Sequence, residues 1–259
     1  MTDAPAPKGA VRAAFDKAAD AYDAVAAVQR SACDRLFALA ATQPLQPSRI
    51  VDAGCGTGYA LPGLNQRFPD AQLIALDFAT SMLRRHPAGL AEPLCADMEH
   101  LPLAEDSVDL LWSSYALQWC HPRKVFPELA RSLRPGGQLW IATLGPGTLG
   151  ELRDAFRHVD QHEHVLRFQP PEVIDDAIED AGLRIVETER DTLYAWAPDL
   201  RRLLHDIKTL GAHQTGAPRR QAPLGKAAWG RLSTAYEAYR TPAGLPASYD
   251  TYWLIAEKK

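Results

Sequence analysis

Short apolar runs alternate with amphipathic stretches through the first 145 residues. RIVDAGC (49–55), AQLIALDF (71–78), the shorter EPLCAD (92–97), the start of VDLLWSSYALQ (108–118) and QLWIATL (138–144) read as strands. Their apolar character is nearly continuous, as expected for strands covered on both faces. Between them, residues 59–68, 80–85 and 125–133 read as helices, the last stopped by Arg134-Pro135-Gly136-Gly137. This rhythm predicts a doubly wound α/β fold with a mostly parallel sheet.

The flanks follow other patterns. Residues 1–10 are small residues and prolines and read as a frayed terminus. A helical stretch from 11 to 41 is closed by Gln43-Pro44 and Gln46-Pro47, since proline disfavours helical geometry in the residue before it. Beyond Leu144 a Gly-Pro-Gly turn leads into a helix, and residues 170–181 form another, ended by Gly182. A long strand at 183–196, helices near 199–210 and 226–240, and a last strand at 248–258 complete seven strands. The chain is expected to be one domain over 1–259. A helical cap occupies 1–47, the core sheet 48–196 and 247–259, and a helical insertion 197–246. Insertions of that size usually cover a site or meet a partner.

Composition narrows the field. The chain has 259 residues, and its 28 Lys+Arg against 32 Asp+Glu leave a net charge of −4, which argues against general nucleic-acid binding. Cys33, Cys55, Cys95 and Cys120 are far apart and form no zinc or disulfide pattern, so a reducing cytoplasm is expected. No apolar stretch approaches the roughly 20 residues of a membrane helix. His158, His162 and His164 lie close together but lack completing ligands, and read as a solvated turn without metal.

The most informative segment is VDAGCGTG (51–58), where the first strand turns into the first helix. Glycines there let the backbone bend and approach a ligand. The run Gly54-x-Gly56-x-Gly58 breaks the G-x-G-x-x-G dinucleotide fingerprint, and no G-K-[ST] follows, so neither a nicotinamide dehydrogenase nor a P-loop is indicated. Asp77 ends the second strand, where an acid can accept both hydroxyls of a ribose. Asp97 ends the third, with Met98 beside it, a pair suited to an adenine amine and ring. Together the strand ends describe an adenosine pocket with little call for phosphate.

VDAGCGTG, ALDFATSML, CADMEHLPLAEDSVDLLWSS and LRPGGQLWIATL resemble the class I S-adenosylmethionine-dependent methyltransferases, with their Rossmann-like fold. The resemblance implies that Gly54, Gly56 and Gly58 flank the methionyl group of that cofactor and that Asp77 holds its ribose. By the same resemblance Asp97 and Met98 frame the adenine, Ser113 faces the methionine end, and Asp52, Cys55, Phe78 and Met82 also bind the cofactor. Further segments are similar to the malonyl-[acyl-carrier protein] O-methyltransferases of biotin synthesis. They are FDKAADAYDAVAAVQR, SYALQWCHPRKVFPELARSLRPGG, TLGPGTLGELRDAF, VDQHEHVLRFQPP and LLHDIKTLGAHQ. In that family an aromatic residue on an amino-terminal helix covers the cofactor; by position this is Tyr22, with Phe15 on the adjoining turn.

The implied reaction methylates a free carboxylate, already an anion at neutral pH, so no general base is required. Tyr22 is then a positioning residue. An anionic substrate calls for a cation, and Arg167 is the expected one, with His213 and Trp119 as further substrate contacts. Between Asp206 and Glu237 there is no acid, while Lys208, Arg219, Arg220, Lys226 and Arg231 form a basic island. It is the expected docking surface for an acidic acyl carrier protein. A methyltransferase for another small polycarboxylic acid, such as aconitate, and a non-catalytic partner protein of the same fold are the alternatives.

Overall fold

The computed structural model describes residues 7–210 and 224–259. The alternating pattern produces β1 (Arg49–Ala53), β2 (Gln72–Asp77), β3 (Glu92–Cys95), β4 (Val108–Ser114) and β5 (Leu133–Leu144). The helices after the first two strands are α4 (Leu61–Arg67) and α5 (Thr80–Leu83), and α6 (Pro122–Ser132) follows β4. Helix α6 starts three residues before the predicted point, because Pro122 takes the first helical position, where a missing N–H costs nothing. Then come α7 (Gly150–Arg157), α8 (Pro171–Asp180), β6 (Leu183–Ala197), α9 (Leu200–Thr209), α10 (Lys226–Glu237) and β7 (Leu245–Lys258). Strand β7 begins earlier than predicted. Leu245-Pro246-Ala247, ahead of the strand expected at 248–258, pairs with Ala197, Trp196 and Ala195 of β6.

The seven strands form one sheet in the order β3-β2-β1-β4-β5-β7-β6. The first five are parallel, and β7 runs antiparallel between β5 and β6. The order reverses between β1 and β4, and in such sheets ligands bind outside the carboxyl ends of the strands at that switch point.

Each face of the sheet buries its own layer. Val51, Leu111 and Leu139 lie in register across β1, β4 and β5 and pack with Phe126 and Leu129 of α6 and Ile174 and Ile178 of α8. The opposite face carries Trp112, Trp140 and Trp253, all buried.

The helical stretch expected at 11–41 holds three α-helices among the described residues: α1 (Lys8–Ala18), α2 (Tyr22–Val25) and α3 (Ala27–Leu39). No proline or glycine marks the breaks. They come from tertiary contacts, described below, that hold Tyr22 and Asp23 over the sheet edge. Helix α3 packs on the tryptophan face. Phe37 lies 4.3 Å from the Trp112 ring, and Trp253 Nε1 donates to the Ala32 carbonyl at 2.8 Å. The terminus is not frayed at its inner end, since α1 already begins at Lys8. Among the described residues no helix is long and apolar enough to cross a membrane.

Candidate active site

The carboxyl ends of β1 to β4 open into a cleft roofed by α1 to α3. Its floor is the glycine loop. Gly54 stands at φ +78°, and a Cβ there would overlap the Ala116 side chain. Gly56 has open space where its Cβ would be, so the loop presents bare backbone to the cleft. Gly58 has a different job. It does not line the cleft, and a Cβ on it would come 2.8 Å from His86 Cβ, so this glycine serves packing rather than the expected ligand contact.

Asp77 braces the loop. Its Oδ2 accepts the Gly56 N–H at 3.0 Å and its Oδ1 the Ala79 N–H at 2.8 Å. Burial raises its pKa, while these two bonds hold it down in part. Each oxygen keeps lone pairs for a ligand hydroxyl. Asp52 is buried on β1 and lines the same cleft with no hydrogen-bond partner among the described residues. Desolvation, and then the nearby Asp77 charge, push its pKa up to about 8. A carboxyl held this way is ready to ionise when a cation arrives. Cys55 also lines the cleft, and burial keeps its thiol neutral.

The far end is apolar with one acidic rim. Phe78, Met82, Met98 and Trp119 line it from the sheet side, and Val11 and Phe15 from α1. Phe15 meets Trp119 edge to face at 5.6 Å and Phe78 at 6.3 Å. Asp97 receives the Lys8 ammonium, which also lies 3.2 Å from Glu99. Burial alone would lower the Lys8 pKa, and the bonds to Asp97 and Glu99 outweigh it and leave it raised. Lys8 was invisible as a site residue in a segment read as frayed. The one clue was Lys8, Val11 and Phe15 at helical spacing.

Near the glycine loop the roof is polar. Tyr22 is half-buried, and desolvation of its hydroxyl and the Asp77 charge hold its pKa well above the ordinary phenol range. Thr57 Oγ donates to Asp23 Oδ1 at 2.7 Å. Arg30 donates to the Asp23 carbonyl at 2.7 Å and lines the cleft. None of Asp23, Thr57 or Arg30 was singled out from sequence, because nothing local tells which side of a short helix will meet the loop.

Several expectations are corrected. Ser113 points away from the cleft: it is fully buried and its Oγ donates to the Ala53 carbonyl at 2.8 Å, joining β4 to β1. Side chains alternate along a strand, so Trp112 and Ser114 face the cleft instead. Trp112 Nε1 and Ser114 Oγ are buried without partners among the described residues. Tyr115, at φ +52°, turns its ring onto Tyr249 and its hydroxyl to Thr251 Oγ1 at 2.5 Å, closing the cleft wall. Arg167 lies outside the cleft, 62% exposed and paired with Glu163. Its neighbour Leu166 takes the buried place beside Val11 and Trp119. His164 is not solvated: it stacks on Phe156 at 3.6 Å and its Nε2 meets Asp160 at 2.8 Å, while His162 is half exposed. Among the described residues no group of His, Cys, Asp and Glu could hold a metal ion. Lys208 and Lys226 are exposed on α9 and α10, and Arg231 donates to the His158 carbonyl at 3.0 Å. His213, Arg219 and Arg220 fall outside the described residues.

The methyltransferase-domain family matches residues 51–141, the segment that supplies the cleft floor. A malonyl-[acyl-carrier protein] O-methyltransferase of Dechloromonas aromatica (strain RCB) is 44% identical over 254 residues, covering 97% of this chain and 95% of that protein. The chain belongs to the malonyl-[acyl-carrier protein] O-methyltransferase family. A second relative is a biotin biosynthesis bifunctional protein of Cellvibrio japonicus (strain Ueda107). It is 40% identical over 96% of this chain, which spans 50% of that longer protein. The crystal structure of an S-adenosylmethionine-dependent methyltransferase from Mesorhizobium loti shares the fold, with a TM-score of 0.52 and 19% identity, over 85% of this chain and 96% of that one. For a malonyl-[acyl-carrier protein] O-methyltransferase the cofactor is S-adenosylmethionine. The cleft suits it: bare backbone at Gly56, an unpartnered buried acid at Asp52 and an apolar slot at the far end.

Proposed function

We propose that this protein transfers the methyl group of S-adenosylmethionine to the free carboxylate of a malonyl thioester on acyl carrier protein. The product is a methyl ester destined for biotin synthesis. The observation that carries the reading is identity along nearly the whole chain with a malonyl-[acyl-carrier protein] O-methyltransferase. The intact cleft supports it.

When bound, the cofactor supplies an electrophilic methyl group and the protein supplies its surroundings. Asp77 accepts the ribose hydroxyls, and Asp97 and Met98 frame the adenine beneath Phe15, Phe78 and Trp119. Gly54, Cys55 and Gly56 let the methionyl part lie close to backbone, and Asp52 accepts its ammonium. Met82 packs with Phe78. Tyr22 keeps its proton, as its raised pKa requires, and so can donate a hydrogen bond but not act as a base. Its work is to orient the incoming carboxylate and exclude water. Orientation of this kind is worth about 7–11 kcal/mol of barrier.

The partner reading rests on charge. Lys208, Lys226 and Arg231 are exposed on α9 and α10, in a stretch of sequence without acids. An acidic carrier protein would be steered there, gaining encounter rate more than affinity. We also read the chain as a single catalytic domain, because one apolar cluster joins α3, the sheet and both insertion helices. Free Cys33, Cys55, Cys95 and Cys120 fit a reducing cytoplasm.

The other readings have less support. A non-catalytic partner would have no use for a bare glycine loop beside Asp52 and Asp77. A methyltransferase for a free polycarboxylic acid such as aconitate differs in its substrate alone. The test is mass spectrometry of malonyl-carrier protein after incubation with enzyme and cofactor, with free aconitate in parallel. One added methyl group on the carrier-bound malonyl is expected. Methylation of aconitate alone would overturn the reading.

A further inference from the structure

The expected carboxylate-binding residue, Arg167, faces solvent. Yet Asp23, Asp52 and Asp77 all line the cleft, so an arriving anion meets carboxyl groups. Among the described residues only two cations line it, Lys8 and Arg30. They are not equivalent. Lys8 sits at the adenine end and is already held by Asp97 and Glu99. Arg30 sits at the opposite end. Its Nη1 donates to the Asp23 carbonyl at 2.7 Å, and Asp23 in turn holds Thr57 of the glycine loop. Tyr22 is close enough for its hydroxyl to feel the Arg30 charge. Among the described residues Arg30 makes no ion pair. One N–H is committed to a backbone carbonyl, and the rest of a planar five-donor group remains available.

We propose that Arg30 is the residue that binds the substrate carboxylate at the reacting end of the cleft. This rests on the malonyl-thioester reading above. A guanidinium matches a carboxylate with two parallel N–H groups, and each oxygen keeps a lone pair for attack. One oxygen forms the bond to the methyl carbon, the electron pair of the broken carbon–sulfur bond stays on sulfur, and no proton moves. The sulfonium becomes a neutral thioether and the carboxylate a neutral ester, so the charge that Arg30 holds disappears in the product. Arg30 therefore binds acid and releases ester. Substrate charge is already falling in the transition state, so Arg30 stabilises the bound substrate more than the transition state. Its loss should raise KM and leave kcat level or slightly higher.

The experiment compares wild type, Arg30→Gln and Arg30→Lys. It measures KM and kcat with malonyl-carrier protein, and calorimetric affinity for S-adenosylhomocysteine, which carries a carboxylate of its own. For Arg30→Gln we expect KM for the malonyl substrate to rise about 10- to 100-fold, the range for losing a charge-assisted hydrogen bond. We expect kcat within about 3-fold of wild type and S-adenosylhomocysteine affinity within about 2-fold. Arg30→Lys should recover part of the KM and also serves if the glutamine variant does not fold. Weakened S-adenosylhomocysteine binding with unchanged substrate KM would assign Arg30 to the cofactor's carboxylate and overturn the proposal. Unchanged KM in an otherwise active enzyme would overturn it too. Wild type that methylates no malonyl thioester overturns the functional reading and this assignment together.

Discussion

Thr57 and Asp23 share a 2.7 Å hydrogen bond that ties the glycine loop to the helices above it. Similar contacts run along the roof: the Ser81 N–H donates to Asp16 Oδ1 at 3.0 Å, Arg85 pairs with Asp20, and Lys8 with Asp97. The roof is thus fastened to the segments after β1, β2 and β3 by polar bonds. From the roof, Phe15 and Tyr22 pack among Ala79, Met82 and Phe78. Thr57→Val and Asp23→Ala should each weaken S-adenosylhomocysteine binding about 3- to 10-fold, mainly through faster dissociation, the range for one net hydrogen bond. Stopped-flow dissociation rates check this, and the double variant should cost less than the sum of the two.

Asp52 should make cofactor binding pH-dependent. Its folded pKa is raised to about 8 by burial, so the ligand-free protein holds it protonated at neutral pH. The sign follows from linkage: a raised acid contributes stability present below its unfolded pKa, and that stability is lost as pH rises through about 4 to 8. A bound ammonium favours the ionised form, so binding should release a proton near neutrality and tighten from pH 6 to 8. Calorimetry in buffers of different ionisation heat measures that proton. Asp52→Asn should abolish the release, weaken cofactor binding, and raise the Tm of the ligand-free protein at pH 8.

Gly54→Ala should harm the fold more than Gly136→Ala. Both residues have left-handed backbone, at φ +78° and +76°, so both substitutions carry about 1–2 kcal/mol of backbone cost. Only at Gly54 does the added Cβ collide with a neighbour, Ala116. Thermal unfolding should show a larger fall in Tm for Gly54→Ala, with cofactor affinity lost, while Gly136→Ala keeps its affinity.

Asp77→Ala should lower cofactor affinity by at least about 10-fold while the protein stays folded, since a carboxylate bonded to two ribose hydroxyls contributes more than one neutral bond. Circular dichroism and calorimetry together test it. Unaltered affinity would remove Asp77 from the site.

Charge reversal of Lys208 and Lys226 should lower kcat/KM for carrier-bound malonate about 10-fold at low salt and leave a small malonyl thioester unaffected. The difference should shrink as ionic strength rises. Equal effects on both substrates would place these lysines outside the docking surface.

Most of the cleft floor is legible along the chain. Gly54, Gly56, Asp77, Asp97 and Met98 sit at strand ends marked by apolar runs and turn residues, and short-range pattern is enough to find them. The misplacements share a cause. Ser113 and Ser114 are neighbours in sequence, and which of them faces the cleft depends on parity. The register that pairs Trp112 with Asp52 of β1 decides it, and no property of β4 alone does.

The amino-acid order by itself determined the doubly wound sheet, its glycine loop and the acids at its edge, because each is written in residues within one turn or strand of another. Only the tertiary structure decided what roofs the cleft and which cations serve it. Lys8 meets Asp97 across 89 positions, and Arg30 rather than Arg167 lines the cleft. Both outcomes are set by how the first three helices fold back over the strand ends. That packing is fixed by Phe37 on Trp112 and by the bond from Trp253 to Ala32, contacts between residues far apart in the chain that no local pattern records.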